Sequence, residues 1–490
     1  SQTYLATADA IPAVDLRQRP IVLRRYASLL TITGRLDEAR AMADALCEVA
    51  VAGERGVPPE AEALAIKSRV AAYIGDDEHA ELWADRALAM LGQRDDSLRA
   101  DLALNLGWTR RRQGDLVASS EQFDRAARLG RTSGEPLAAL WGTRYLALDW
   151  LMLGRLDDAD VLVEDELARV DRAGSTGDFA RAALLVARAE IAYERNTLEV
   201  ARAALDEAIA IARQAADAKI LANAYGALAW LERAHGGLEA AHQAAFRAQR
   251  VMDGVIEDAL LATIAVDRGN LPMAQQWAER SGMRLGDPIE PTQSPLVVMT
   301  YARVHAASGA SRDAIAFLER AMAKYAENGW LRARMQATAM LATIQESAGM
   351  QEAARSSMAD AVRLAVPEGF VRSLLDAGPL VEGLLRDLAR SDRLGAVERQ
   401  WALQVVTAPG GNAEPGAQHT SAQLVEALTE RQREILVLLA DGRSNREIAT
   451  SLFLAEGTVK AHVHQIYGKL MARNRVEAIA NARRFGLIDA

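Results

Sequence analysis

Gly154-Arg155-Leu156-Asp157-Asp158-Ala159 decides the fold, because the chain writes this phrase many times over. The same form, Gly-x-Leu-x-x-Ala, stands at Gly34-Arg35-Leu36-Asp37-Glu38-Ala39, and its first position recurs at Gly75, Gly114, Asn196, Gly236, Gly269, Gly309 and Gly349. From Gly34 onward the spacings are 41, 39, 40, 42, 40, 33, 40 and 40. Asn is the usual stand-in for Gly where the backbone is left-handed, so the position predicts a left-handed turn. Seven residues before it the side chain is always tiny: Ala27, Ser68, Gly107, Ala147, Ala189, Ala229, Ala262, Ala302 and Ala342. Five residues after it stand Ala39, Ala80, Ser119, Ala159, Ala201, Ala241, Ala274, Ala314 and Ala354. Small residues facing each other let two antiparallel helices approach closely around a short turn. One such hairpin cannot bury its own apolar face, whereas nine stacked hairpins can.

This frame resembles the tetratricopeptide repeat, lengthened to about 40 residues per unit. The resemblance implies that the first helix of each unit lines a concave face, six and three residues before the turn among other positions. Candidate groove residues are then Arg69, Trp108, Glu190, Trp230 and Arg303 at minus six, and Arg111, Tyr193 and Arg233 at minus three. Trp141 and Arg144 take two further inward positions of the fourth unit. Aromatic faces beside guanidinium groups suit an anionic or planar ligand, or a partner peptide. The plainer reading has the tryptophans filling gaps between helices and the arginines solvated.

Beyond the repeats, residues 428–487 carry the start and stop signals of four short helices. Thr429-x-x-Gln432 and Ser444-x-x-Glu447 are capping boxes. A turn at 453–455 separates the second helix from a third at about 456–470, and Asn474-x-x-Glu477 opens the last. Val459, Val463, Ile466 and Leu470 fall on one face of the third helix. The opposite face carries Gly457, Lys460, Ala461, His464 and Gly468. It is slim enough to enter a major groove, with Lys and His tips at base edges. Thr458, His462, Gln465 and Lys469 flank it, where phosphate contacts are expected.

The whole stretch resembles the DNA-binding domain of the LuxR/FixJ/GerE family. Leu428-Thr429-x-Arg431-x-x-Glu434, Gly442-x-Ser444-Asn445-x-Glu447-Ile448-Ala449, Gly457-Thr458-Val459-Lys460-x-His462 and Lys469-Leu470 carry the resemblance, completed by Asn474-Arg475, Ala478 and Gly486-Leu487. It implies base contacts from Lys460, Ala461 and His464, and phosphate contacts from Asn445, Thr458, His462 and Lys469. Ala455 departs from the family's usual Ser cap, a loss of about 1 kcal/mol, and Met471 from its usual Gly. Neither departure removes a contact residue.

Between repeats and tail, Pro367-Glu368-Gly369-Phe370 and Asp376-Ala377-Gly378-Pro379 bracket a segment followed by an amphipathic stretch to about Arg390. This segment resembles the end of the sensor region in the large MalT-like LuxR regulators. Residues 408–423, rich in Gly, Pro and Ala, read as a tether. The expected organisation is all-α. A superhelix of about nine tetratricopeptide-like hairpins takes residues 1–400, a flexible linker 401–423, and a four-helix LuxR-type helix-turn-helix domain 424–490.

Composition agrees with that class. Half the residues are apolar and only 5% aromatic, with 13 Pro and one cysteine, Cys47, so no internal disulfide forms and a reducing cytoplasm fits. No apolar run reaches the length of a membrane helix. The net charge is −9, yet residues 424–490 hold ten Lys/Arg against eight Asp/Glu, +2, which leaves −11 for the rest. An acidic body keeps itself off DNA, and a weakly basic tail needs a second copy beside it.

The large regulators also carry a phosphate-binding Gly-x4-Gly-Lys-Ser/Thr loop. Here the only Gly-Lys pair is Gly468-Lys469, followed by Leu. A fragment lacking its nucleotide-binding part is preferred over a naturally short relative, with an ATP site expected only in that missing N-terminal module and no cofactor in this chain. His462 and His464 point about 200° apart on a helix and cannot share a metal. No motif supports an enzyme. The leading reading is a transcription regulator, an activator, whose repeats sense a small-molecule inducer or regulatory protein. Its expected partners are double-stranded promoter DNA, RNA polymerase and further copies of itself, with no membrane. The other reading is a protein-interaction scaffold that its tail anchors to DNA.

Overall fold

A computed structural model describes residues 57–407 apart from 174–177, 216 and 253, preceded by 22–23, 26–27, 30–31 and 35–47. In the C-terminal part it describes 430–440, 443–452, 459, 462–463, 466 and 475–484. The chain divides into two compact units, Ser1–Asn412 and Ala413–Ala490. All regular elements among the described residues are helices.

Antiparallel pairs follow one another through the first unit. They include α1 (Leu36–Cys47), α2 (Pro59–Ile74), α3 (Asp77–Leu91), α4 (Asp96–Arg112), α5 (Leu116–Ser133), α6 (Pro136–Met152) and α7 (Leu156–Ala173). Next come α8 (Asp178–Glu194), α9 (Leu198–Gln214), α10 (Ala218–Ala234), α11 (Leu238–Val251), α12 (Val255–Asp267) and α13 (Leu271–Arg280). α14 (Pro295–Ala307), α15 (Ser311–Glu327), α16 (Leu331–Ser347) and α17 (Gln351–Ala365) complete the hairpins. The one 33-residue spacing, from Gly236 to Gly269, falls where α11 and α12 shorten to 14 and 13 residues.

The turns behave as their sequence predicts. Gly75, Gly114, Gly154, Gly236, Gly269, Gly309 and Gly349 all have positive φ, and Asn196 joins them at 61°. Gly34 lies outside the described residues. At these turns the chain closes a hydrogen bond five residues back, as from Arg155 N–H to Trp150 O (2.7 Å) and Thr197 N–H to Ala192 O (2.9 Å). That satisfies carbonyls the helix end leaves over. Acidic caps secure several helix starts: Asp115 accepts from Ala118 N–H at 3.0 Å and Asp217 from Ile220 N–H at 2.8 Å.

The small residues do what close packing asks. Ala147, Ala159, Ala229, Ala241, Ala302, Ala314, Ala342 and Ala354 are completely buried. A Cβ on Gly107 would stand 2.6 Å from the Phe123 ring. Where Ser replaces Ala, its hydroxyl is bonded across the hairpin. Ser68 donates to Ala80 O (2.9 Å) and Ser119 to Gly107 O (3.0 Å).

The array curls far enough for distant units to touch. Trp330 donates its indole N–H to Gly114 O at 3.0 Å, and Pro291 packs on the same turn. After α17, a short 3-10 turn (Val366–Glu368) leads to α18 (Arg372–Leu375), α19 (Val381–Ala389) and α20 (Ala396–Thr407). Val381, Leu384, Leu385 and Leu388 are the buried face of α19.

The second unit contains α21 (Glu430–Ala440), α22 (Asn445–Ser451) and α23 (Arg475–Arg484), with helical residues at 459, 462, 463 and 466 between the last two. Ile435, Leu436, Leu439, Ile448, Val459, Val463, Ile466, Ala478 and Ala482 form its core.

Candidate functional site

In the second unit the Ser444 capping box is closed in both directions. Glu447 accepts from the Ser444 amide and hydroxyl at 2.7 Å each, and Ser444 Oγ accepts from Glu447 N–H at 3.3 Å. The amide bond, reinforced by the hydroxyl, holds the Glu447 carboxyl below the usual carboxylate range. Arg475 of α23 donates to Leu439 O at 2.6 Å, tying the last helix to the first. Val459, Val463 and Ile466 are buried, so the inner face of the third helix is the one its spacing predicts. His462 is half-buried, and its Nδ1 has no hydrogen-bond partner among the described residues. Asn445 begins α22, but its side chain lies outside the described residues, as do Lys460, Ala461, His464, Thr458, Gln465 and Lys469 entirely.

The first unit holds a cavity of about 340 Å³ between α6, α8, α10, α12, α14 and α16. Of the sequence-derived groove residues, Glu190, Tyr193, Trp230 and Arg303 line it. Arg69, Trp108, Arg111, Trp141, Arg144 and Arg233 are outside its lining. The guanidinium groups are already engaged within the chain. Arg69 pairs with Asp101 (3.2 Å), Arg111 with the fully buried Asp149, and Arg144 with Glu190 (3.6 Å). Arg233 pairs with Asp267 (2.6 Å) and Asp376 (3.2 Å), and Arg303 with Asp267. Burial works to raise the Asp267 carboxyl, but Arg303 and Arg233 beside it hold it below its ordinary value.

The floor of the cavity was not foreseen. Ser373, Asp376 and Ala377, from the segment beyond the last repeat, form part of its wall. The Asp376 carboxylate accepts from Tyr193 Oη at 2.8 Å and lies between Arg233 and Arg372. Burial first, then the Asp376 charge, pushes the Tyr193 phenol far above its usual range. Glu194, only 1% exposed, accepts from Ser373 N–H (3.1 Å), Ser373 Oγ (2.8 Å) and Arg332 Nε (2.8 Å). Its main-chain oxygen accepts from Val371 N–H at 2.8 Å. Glu368 in turn accepts from Leu156 N–H at 3.1 Å, at the start of α7. The signal for these partners was a scatter of acids on otherwise apolar helices, such as Asp149 and Glu194, where a buried charge demands a counter-charge.

No group of side chains among the described residues could hold a metal ion, and no described helix is long and apolar enough to cross a membrane.

Comparison with known proteins places this architecture. Residues 61–391 match the family model of the MalT-like TPR region, and the chain belongs to that family. Residues 426–482 match the model of bacterial regulatory proteins of the LuxR family. The HTH-type transcriptional regulator MalT of Vibrio campbellii is 30% identical over 147 residues, 27% of this chain and 16% of that protein. The response regulator protein VraR of Staphylococcus aureus is 46% identical over 68 residues, 14% of this chain and 32% of that protein. The chain thus spans well under half the length of either relative. Among solved structures, a Rap protein complexed with Competence and Sporulation Factor aligns over 80% of this chain and all of its own. Its identity is 13% and its TM-score 0.44, too low to carry an argument. The matches support a DNA-binding transcriptional regulator, and neither matched family is one of enzymes.

Proposed function

We propose that this regulator is an activator whose superhelix responds to a small-molecule inducer or regulatory protein, and which binds promoter DNA as a dimer or larger assembly. One observation carries the sensing half of this reading. The cavity is walled by repeat helices on most sides and by Ser373, Asp376 and Ala377 on another. Those three belong to the stretch that leads on to α19, α20 and the DNA-binding residues. An occupant that presses on this wall bears on the chain leading to the output unit. Differential contact of that kind is what a ligand needs in order to shift an equilibrium.

The cavity favours a compact, largely apolar guest with a few polar groups. Leu148, Leu260, Met299 and Trp230 supply apolar surface, and Glu190, Asn223 and Gln336 supply polar atoms. Thermal melts with a panel of small metabolites test this. A compound that fills the cavity should raise the melting temperature with the logarithm of its concentration above Kd, an apparent stabilisation of about 2.7 kcal/mol at a hundred times its Kd. It should fail to do so for Trp230→Ala, and it should change promoter affinity in the wild type. A compound that stabilises Trp230→Ala equally well sinks the cavity assignment. One that binds there without altering DNA affinity sinks the coupling.

A further inference from the structure

Apart from the cavity, three aromatic rings stand around a single point. Trp108 comes from α4, and Trp141 and Tyr145 from α6. Trp108 meets Tyr145 edge-on at 5.7 Å, and Trp141 lies 5.9 Å from the same ring. Tyr145 stacks at 5.2 Å on Phe123, which is wholly buried, so the arrangement has a fixed backing. Into this point reaches the ammonium of Lys219, from the first turn of α10. It lies 5.8 Å from the Trp108 ring centre and 5.3 Å from those of Trp141 and Tyr145. Arg111 and Arg144 close by are matched with carboxylates, whereas Lys219 makes no ion pair among the described residues. None of the three rings, nor Lys219, lines the cavity.

The physics selects the occupant. Aromatic faces are electron-rich and attract a cation most where water is excluded, and three faces do so better than one. An ammonium held by rings alone gains more as its own hydration weakens, so an N-methylated cation is a better guest than a lysine. Lysine, in turn, sits on a four-carbon stem that regains rotamer freedom when it leaves. We propose that Trp108, Trp141 and Tyr145 form a binding site for the ammonium group of an organic cation, and that Lys219 fills the site until such a cation displaces it. This reading is independent of the cavity and needs neither DNA nor an inducer.

Tetramethylammonium chloride is the probe and tert-butanol its uncharged counterpart of similar shape, with the full chain in saturation-transfer NMR at constant ionic strength. Lys219→Ala removes the competitor, so tetramethylammonium should bind it saturably and on the order of ten-fold more tightly than the wild type, while tert-butanol does not. Adding Trp141→Leu to Lys219→Ala should abolish the signal. Adding Trp108→Phe, which keeps a ring in place, should weaken it several-fold. Circular dichroism melts establish that each variant is folded, and if Trp141→Leu is not, the Trp108→Phe comparison decides. If Lys219 only staples two units together, Lys219→Ala melts lower and gives no saturable transfer. That result, or equal signals from the two probes, overturns the proposal.

Discussion

Lys460 and Lys469 stand nine residues apart in the predicted recognition helix, and they should fail in different ways. A side chain at a base edge carries sequence information, whereas one at a phosphate carries only affinity. Lys460→Ala should therefore lose about 1–3 kcal/mol of discrimination between operator and scrambled duplex. Lys469→Ala should weaken both duplexes alike and lower the slope of log K against log salt by about 1. Fluorescence anisotropy across a salt series reads both. Unchanged sequence preference in Lys460→Ala would remove that residue from the base-reading face. In the first unit, single residues show how charge is managed: Asp267 serves both Arg233 and Arg303, and Asp149 serves Arg111 while accepting from Ser119 Oγ at 2.6 Å. Breaking such a buried set from one side costs about 3–5 kcal/mol, because the remaining charge is left without its partner.

At the scale of elements, the turns carry two different duties. Gly75 and Gly154 are both left-handed, at 86° and 84°. A Cβ on Gly75 would meet nothing within 4 Å, whereas one on Gly154 would run into Leu331, with its Cβ at 2.9 Å. Gly75→Ala should thus cost only the left-handed penalty, about 1–2 kcal/mol. Gly154→Ala should add an overpacking penalty of about 1–3 kcal/mol, since α16 must be pushed away. Thermal denaturation of the two variants should rank them in that order, and equal losses would mean that α16 yields freely. The segment 366–378 is the other element with a double duty. It ends the array, and it inserts Ser373 and Asp376 among the inward residues of α8 and α10.

For the whole molecule, the decisive quantity is the uneven charge. An acidic body of −11 and a tail of +2 leave few favourable phosphate contacts per chain. Two tails held together turn the second binding event into an intramolecular one. Fusing the chain to a dimeric coiled coil should therefore raise its affinity for a palindromic duplex on the order of a hundred-fold, and for a half-site hardly at all. Equal affinities for the two duplexes, with and without the fusion, would show that one tail suffices.

Hairpin number, turn conformation and the inner face of the third helix were legible in the sequence because each depends on near neighbours. Helical periodicity and the left-handed preference of Gly and Asn act within one unit, so Asn196 announces its own φ. The groove residues were legible only as positions, since the frame points side chains inward without saying what they meet there. That Arg332 would find Glu194, 138 residues away, or Glu368 the amide of Leu156, 212 away, depends on how far the array has curled. Curl is the sum of small rotations between successive units, and no single unit encodes that sum. The sequence by itself determined the repeats and a LuxR-like tail. Only the tertiary structure decided that the array closes on its own C-terminal segment, leaving a cavity beside Asp376 and a lysine among three aromatic rings.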